Sequence, residues 1–224
     1  MSDDHERSSV TEQQRAAVSD LIEKAYSLMS EDRDEEANEV WAEVAVEIWP
    51  VIDGVIASLG MDGKPTEDKV DRSYEKDYDL NDVLADADVA LADAKKYEER
   101  LAFNRRLLDT FDMTSERNQY FSARQAIAES LNGLGRYEEC DAGLKVWKYE
   151  NEAEVYPDFV WLRCARDRKQ NPEELKALAD SYMAKEKIDA PHEDVMMLYE
   201  MIALIYADLG EEKLRKEAEA RMNA

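Results

Sequence analysis

The sequence predicts an all-α chain of about five helical hairpins, on three observations. Its 224 residues hold only 7 Gly and 5 Pro, too few turn formers for a sheet-rich fold with a turn about every ten residues. Apolar residues recur three and four apart in one stretch after another, the spacing of a single helix face. A Glu-Glu pair also recurs five times, at Glu35-Glu36, Glu98-Glu99, Glu138-Glu139, Glu173-Glu174 and Glu211-Glu212, with successive spacings of 63, 40, 35 and 38 residues. Carboxylates in a first turn are favoured by the helix macrodipole, so each pair marks a helix start. A helical stretch precedes each pair and another follows it, which makes each a hairpin.

In the first hairpin Leu21, Ala25 and Leu28 share one face of the leading helix, and Ala37, Trp41, Val44 and Ile48 share one face of the second. Both sets obey the i, i+4, i+7 rule. The second hairpin runs from Leu80 to Leu91 and from Tyr97 to Phe111. The third carries Ile127, Ala128 and Leu131 into Leu134-Gly135-Arg136-Tyr137, then Cys140, Leu144 and Trp147. Gly135 can end a helix in the left-handed conformation, and Tyr137 is expected to wedge between the two helices. The fourth uses Phe159, Val160, Leu162 and Cys164, then Leu175, Leu178 and Tyr182, with Pro172 at a helix start. The fifth uses Leu198, Ile202 and Ile205, turns at Leu209-Gly210 and continues with Leu214 and Ala218.

Residues 1–11 read as a flexible N-terminal tail and 12–224 as a single helical domain. The surplus in the 63-residue spacing falls at 60–78, where two glycines, a proline and many charges predict an exposed connection. Trp49 precedes Pro50, so it is expected near a bend or helix end.

With 53 acidic and 29 basic residues the chain carries a formal charge of −24. Such a surface repels nucleic acid phosphates and anionic lipid, so neither is an expected partner. The opening MSDDHERSSV has no apolar core and is rich in acids, unlike a secretory or transit segment. The most apolar run, Met196 to Leu209, has 14 residues and includes Glu200 and Asp208, short of the roughly 20 that span a bilayer. A cytoplasmic location is the expectation. Cys140 and Cys164 sit at apolar positions outside any C-x-x-C and read as reduced core thiols. His5 and His192 have no ligand-spaced companion, so no zinc site is expected.

A two-helix unit of about 34 residues with a small residue at the close contact and Gly-x-Tyr at its turn resembles the tetratricopeptide repeat. The third unit, IAESLNGLGRYEECDAGLKVW, resembles it best, with Ala128 at the small site, Gly135 and Tyr137 at the turn, and Cys140, Leu144 and Trp147 at packing sites. The first unit matches through Ala25, Ala37 and Trp41. No unit carries the full W-x-x-L-G-x-x-Y motif, and Arg100 and Lys213 stand where a small residue belongs. The resemblance implies a right-handed stack, a tetratricopeptide-like α-solenoid. Residues 79–185 also look like the helical region that precedes a small zinc motif in bacterial proteins related to the SecA tail. The cysteines of that motif are missing here, so metal binding does not carry over. A bacterial helical-repeat scaffold is what this likeness implies.

No nucleotide, nucleophile-elbow or zinc-protease motif occurs, so no cofactor and no enzyme activity are expected. Asp82, Asp86, Asp88 and Asp93 lie along a helix and lack the loop spacing of a calcium site, which makes them a solvated face. Trp41 and Trp147 read as core. Trp161 neighbours Arg163 and Arg166, which with Arg168 and Lys169 form a positive island in an acidic chain. One reading pairs that island with local carboxylates such as Asp158 and Asp167. The functional reading has Arg124, Trp161, Arg163 and Arg166 line the concave wall of a hairpin stack and receive an acidic peptide, since arginine meets carboxylates in a bidentate fork. The expected function is a non-enzymatic protein- or peptide-binding scaffold. The alternative is a self-associating structural or regulatory subunit using the apolar last hairpin; the charged final helix favours a monomer.

Overall fold

In the computed structural model the backbone is described for residues 3–74, 78–114, 116–169, 171–185 and 188–222, and side chains for the same residues except 3–12, 73 and 74. The described residues form eleven α-helices and no strand, so the fold is all-α. The chain divides into two compact units, 1–130 and 131–224, where the sequence reading has one domain. The division falls inside α6 (Arg117–Gly133).

The first unit holds α1 (Asp3–Ser30), α2 (Asp34–Leu59), α3 (Glu67–Tyr74), α4 (Leu80–Asp93) and α5 (Tyr97–Thr110). Residues 3–11, expected as a flexible tail, belong to α1, and residues 1–2 lie outside the described ones. Helix α2 packs on α1, α3, α4 and α5, which makes it the centre of the unit. The faces read from the sequence are buried: Ala25 and Leu28 of α1 meet a core with Ala37, Trp41, Val44 and Ile48 of α2. Trp41 lies edge-on to Tyr26 at 5.1 Å, and Trp49 packs against Phe103 at 5.5 Å.

Helix α2 runs through Pro50 without ending, so of the bend or helix end expected near Trp49 the helix end is not found. A proline inside a helix costs about 3 kcal/mol. Here Trp49, Val51, Ile52 and Val55 all lie in the core, and each large apolar side chain so buried contributes roughly 2 kcal/mol. Packing therefore outweighs the local rule.

The 60–78 stretch also departs from a simple exposed connection. It contains α3 and buries Pro65, Glu67 and Val70, while Asp62, Gly63, Lys64, Asp68, Lys69 and Arg72 stay exposed. The Asp112 amide donates to the Pro65 carbonyl at 2.8 Å, and Lys64 Nζ donates to the Leu108 carbonyl at 2.8 Å, so the stretch is tied to the end of α5. Residues 75–77 lie outside the described ones.

The second unit holds α7 (Tyr137–Glu150), α8 (Tyr156–Asp167), α9 (Pro172–Met183), α10 (His192–Asp208) and α11 (Glu212–Met222). Helix α8 packs on α7, α9 and α10, and α10 packs on α9 and α11. Leu162, Leu198, Ile202, Ile205, Tyr206 and Ala218 form its apolar interior, with the Tyr206 hydroxyl donating to Asp180 at 2.7 Å. Among the described residues no helix is long and apolar enough to cross a membrane.

The hairpin turns share one geometry. A left-handed residue, Asp32, Lys95, Gly135 or Gly210, follows the leading helix, with φ of 58°, 55°, 72° and 73°. The next amide then donates back five residues: Arg33 to Leu28 at 3.0 Å, Lys96 to Leu91 at 2.9 Å, Arg136 to Leu131 at 2.9 Å and Glu211 to Tyr206 at 2.9 Å. This is the Schellman closure, which satisfies carbonyls left over at a helix end. Lys169, with φ of 51°, follows α8 in the same way. The acidic pairs do open the following helices: Glu35-Glu36, Glu98-Glu99, Glu138-Glu139 and Glu173-Glu174 in first turns, and Glu212 in that of α11. At two turns an arginine clamps the second of the pair, Arg33 on Glu36 and Arg136 on Glu139, each through two N–H···O bonds of 2.6–2.8 Å.

Candidate functional site

The positive island sits on α8, a helix that starts with Pro157 in its first turn, where a missing amide hydrogen does no harm. Its apolar positions Val160, Leu162, Cys164 and Ala165 are buried, which leaves Trp161, Arg163 and Arg166 half-buried. Trp161 packs against the apolar interior of the second unit and belongs to its boundary. Arg166 reaches Asp208 at the end of α10, with Nε 2.6 Å from Oδ2. Asp167 also acts on Arg166 through its charge, whereas Asp158, the other carboxylate expected beside the island, is buried and pairs with Lys148 at 2.8 Å. The Asp208 carboxylate, bonded to the guanidinium, raises the pKa of Arg166 and keeps it charged.

The Arg166–Asp208 pair borders an open cleft of about 500 Å³. Arg166 and Asp167 close α8, Lys169 follows at the left-handed turn, Pro172 and Leu175 open α9, and Asp208 and Leu209 finish α10. Two hairpin turns thus meet side by side, with cationic groups on the rim and Pro172, Leu175 and Leu209 as apolar wall. Of the four residues singled out in the sequence, only Arg166 lines this cleft. Arg124 belongs to the first unit, on α6, with its guanidinium 5.6 Å from the Tyr120 ring; Arg163 is on α8 of the second. Lys169 belongs to the island read from the sequence, but Leu175 and Leu209 stand there only as hairpin positions, because they come from separate turns. The signal that could have found them is the repeat itself, which sets the turns after α8 and α10 at equivalent positions.

Arg168, the other end of the island, turns inward. Its side chain is 10% exposed, its Nη1 lies 2.8 Å from Asp141 Oδ1, its Nε donates to Asn132 Oδ1 at 2.5 Å, and its guanidinium sits 4.9 Å from the Tyr137 ring. Tyr137 is 46% exposed and covers this arginine, contrary to the wedge expected between helices.

The aspartates of α4 are also not a uniformly solvated face. Asp82 and Asp93 are exposed, whereas Asp86 accepts from the Tyr26 hydroxyl at 2.7 Å and Asp88 accepts from Arg100 and Asn104. Arg100, the residue that breaks the small-residue pattern, is 8% exposed and bridges Asp88 and Glu129. Its length is used: it neutralises carboxylates that would otherwise be buried alone. In α3, burial and then Asp79, Asp71, Glu116 and Asp68 push the Glu67 carboxyl up to about 7, and its Oε1 has no hydrogen-bond partner among the described residues. Among the described residues no group of three or more His, Cys, Asp or Glu is placed to hold a metal ion.

Compared with known protein families, with curated proteins and with solved structures, the chain matches none.

Proposed function

We propose that this protein is a non-enzymatic binding module of the cytoplasm, tetratricopeptide-like in its hairpins, which holds a peptide segment bearing a carboxylate in the cleft of its second unit. The observation that supports this reading is one cleft that sets Arg166 and Lys169, with Asp167 and Asp208 beside them, against an apolar wall in a chain of net charge −24. A peptide carboxylate replaces Asp208 on Arg166 while an adjacent apolar side chain covers Leu175 and Leu209. The exchange is inexpensive: the two side chains are 30% and 51% exposed, and such pairs contribute about 0–1 kcal/mol. Lys169, exposed beside them, adds a second cation.

The test is a titration of isotope-labelled protein with peptides of about ten residues that place Asp or Glu beside Leu. Resonances of Lys169, Leu175 and Leu209 are expected to shift, and Arg166→Glu with Lys169→Glu to weaken binding roughly tenfold or more with unchanged helicity. No shift, equal affinity in the double variant, or turnover of a substrate by the purified protein overturns the proposal.

Self-association is the second reading, favoured by Met196 and Leu204, which are 37% and 39% exposed on α10. Glu200 lies between them on that face and is exposed, so a second copy would bury a charge. A monomer of 25.8 kDa by light scattering is expected, and a mass of about twice that at low concentration reverses the ranking.

A further inference from the structure

The two cysteines come from different helices and meet inside the second unit. Cys140 lies in the first turn of α7, Cys164 lies on α8, and both are fully buried and not joined in a disulfide. The side chains of Cys140 and Cys164 are hydrogen-bonded to each other although 24 residues separate them. Apolar packing alone explains two buried thiols. It does not explain the cation beside them.

Arg168 is that cation. Asn132, Asp141 and the Tyr137 ring hold its guanidinium on several sides, and its Nη2 is buried with no oxygen or nitrogen partner among the described residues. The guanidinium lies beside the Cys140 sulfur. Burying a guanidinium costs several kcal/mol unless an anion answers it. Asp141 supplies one, and negative charge on the Cys140 sulfur would be a second. The amide end of α7 adds positive potential at the same sulfur, since an anion near a helix start is favoured by the macrodipole. The hydrogen bond with Cys164 lowers the Cys140 pKa most, burial opposes it, and the charge of Arg168 lowers it further.

We propose that Cys140 and Cys164 form a redox-active dithiol site in which Cys140 is the attacking thiolate, Cys164 the resolving thiol and Arg168 the cation that holds the thiolate charge, and that a hydroperoxide converts the pair to an intramolecular disulfide. With hydrogen peroxide as oxidant, the Cys140 thiolate attacks one oxygen, the O–O bond breaks, an S–O bond forms and hydroxide leaves to be protonated to water. Cys164 then loses its proton, and its sulfur attacks the Cys140 sulfur. The S–O bond breaks, the S–S bond forms and the departing hydroxide takes the proton as a second water. Two thiols give up two electrons, and one peroxide becomes two waters.

The experiment treats the full reduced chain with hydrogen peroxide, alkylates it after unfolding, and reads the intact mass and the peptide map. A loss of about 2 Da, two thiols protected together and a Cys140–Cys164 cross-linked peptide are expected. In Cys164→Ser the reaction should stop at a Cys140 sulfenic acid that dimedone traps. Arg168→Met should slow oxidation roughly tenfold and move the pH profile of Cys140 alkylation upward, with Arg168→Lys restoring part of both. A merely structural arginine would leave that profile in place. If a variant fails to fold, the wild-type peptide map still decides. Thiols that stay fully alkylatable after peroxide, or a disulfide found only between two chains, overturn the proposal.

Discussion

Arg100 meets Asp88 through two parallel bonds, Nε to Oδ1 at 2.9 Å and Nη2 to Oδ2 at 2.8 Å, while its Nη1 reaches Glu129 at 2.9 Å. One side chain thereby fastens α4, α5 and α6 within the first unit. Arg100→Ala leaves two largely buried carboxylates without their cation and is expected to destabilise by about 3 kcal/mol, read as a lower urea midpoint at constant slope. Arg100→Lys should recover only part, because an ammonium cannot make the fork. An unchanged midpoint for Arg100→Ala would show the carboxylates to be solvated.

The shared turn geometry predicts opposite effects at two kinds of position. Lys95 takes a left-handed φ of 55°, so Lys95→Gly should stabilise by roughly 0.5–1 kcal/mol. Gly210 has the same conformation, and an added Cβ would meet no atom within 4 Å. Gly210→Ala should therefore lose about 1 kcal/mol through its backbone alone. Thermal unfolding of both variants checks the pair, and shifts of the same sign would contradict the assignment.

Glu67 sets a pH dependence of stability. Its folded pKa of about 7 lies above the ordinary 4.5, so the folded state binds the proton more tightly than the unfolded chain. Its contribution is most favourable below the unfolded value and is lost as pH rises through the folded one, between roughly pH 4.5 and 7. Glu67→Gln should flatten this part of the profile and stabilise by about 2 kcal/mol at pH 8. Comparing variant with parent isolates Glu67 from Asp112 and Asp180, whose depressed pKa values act in the opposite sense at lower pH. Parallel profiles would remove Glu67 as the cause.

A charge of −24 spread over one chain repels itself. The melting temperature should rise by a few degrees between roughly 10 mM and 150 mM salt, as the screening length shortens to about 8 Å. Arg166–Asp208 and other part-exposed pairs weaken over the same range, but each is worth little. A fall in melting temperature would mean that these pairs, summed, outweigh the repulsion.

Helix positions were legible where local physics decides them. Glu138-Glu139 opens α7 because carboxylates suit a helix start, and Gly135 turns left-handed because it has no Cβ. Lys95 and Asp32 do the same work without a glycine, so their turns were readable only through the helices on either side. Pro50 misled because its rule is local, whereas the packing of Trp49 and Ile52 is not. The cleft was mostly illegible: Arg166 and Asp208 are 42 residues apart, and no spacing rule joins them. Arg100 looked like a defect in the repeat, since its partners Asp88 and Glu129 lie on other helices.

The bond that each hairpin turn sends back over five residues bears on how fast the chain finds its structure. A leading helix that closes within itself directs the following one onto its neighbour before distant segments have to meet, so little loop-closure entropy is spent early. Stopped-flow refolding is expected in milliseconds, the range of helical proteins rich in local contacts, instead of the seconds typical of long-range strand pairing.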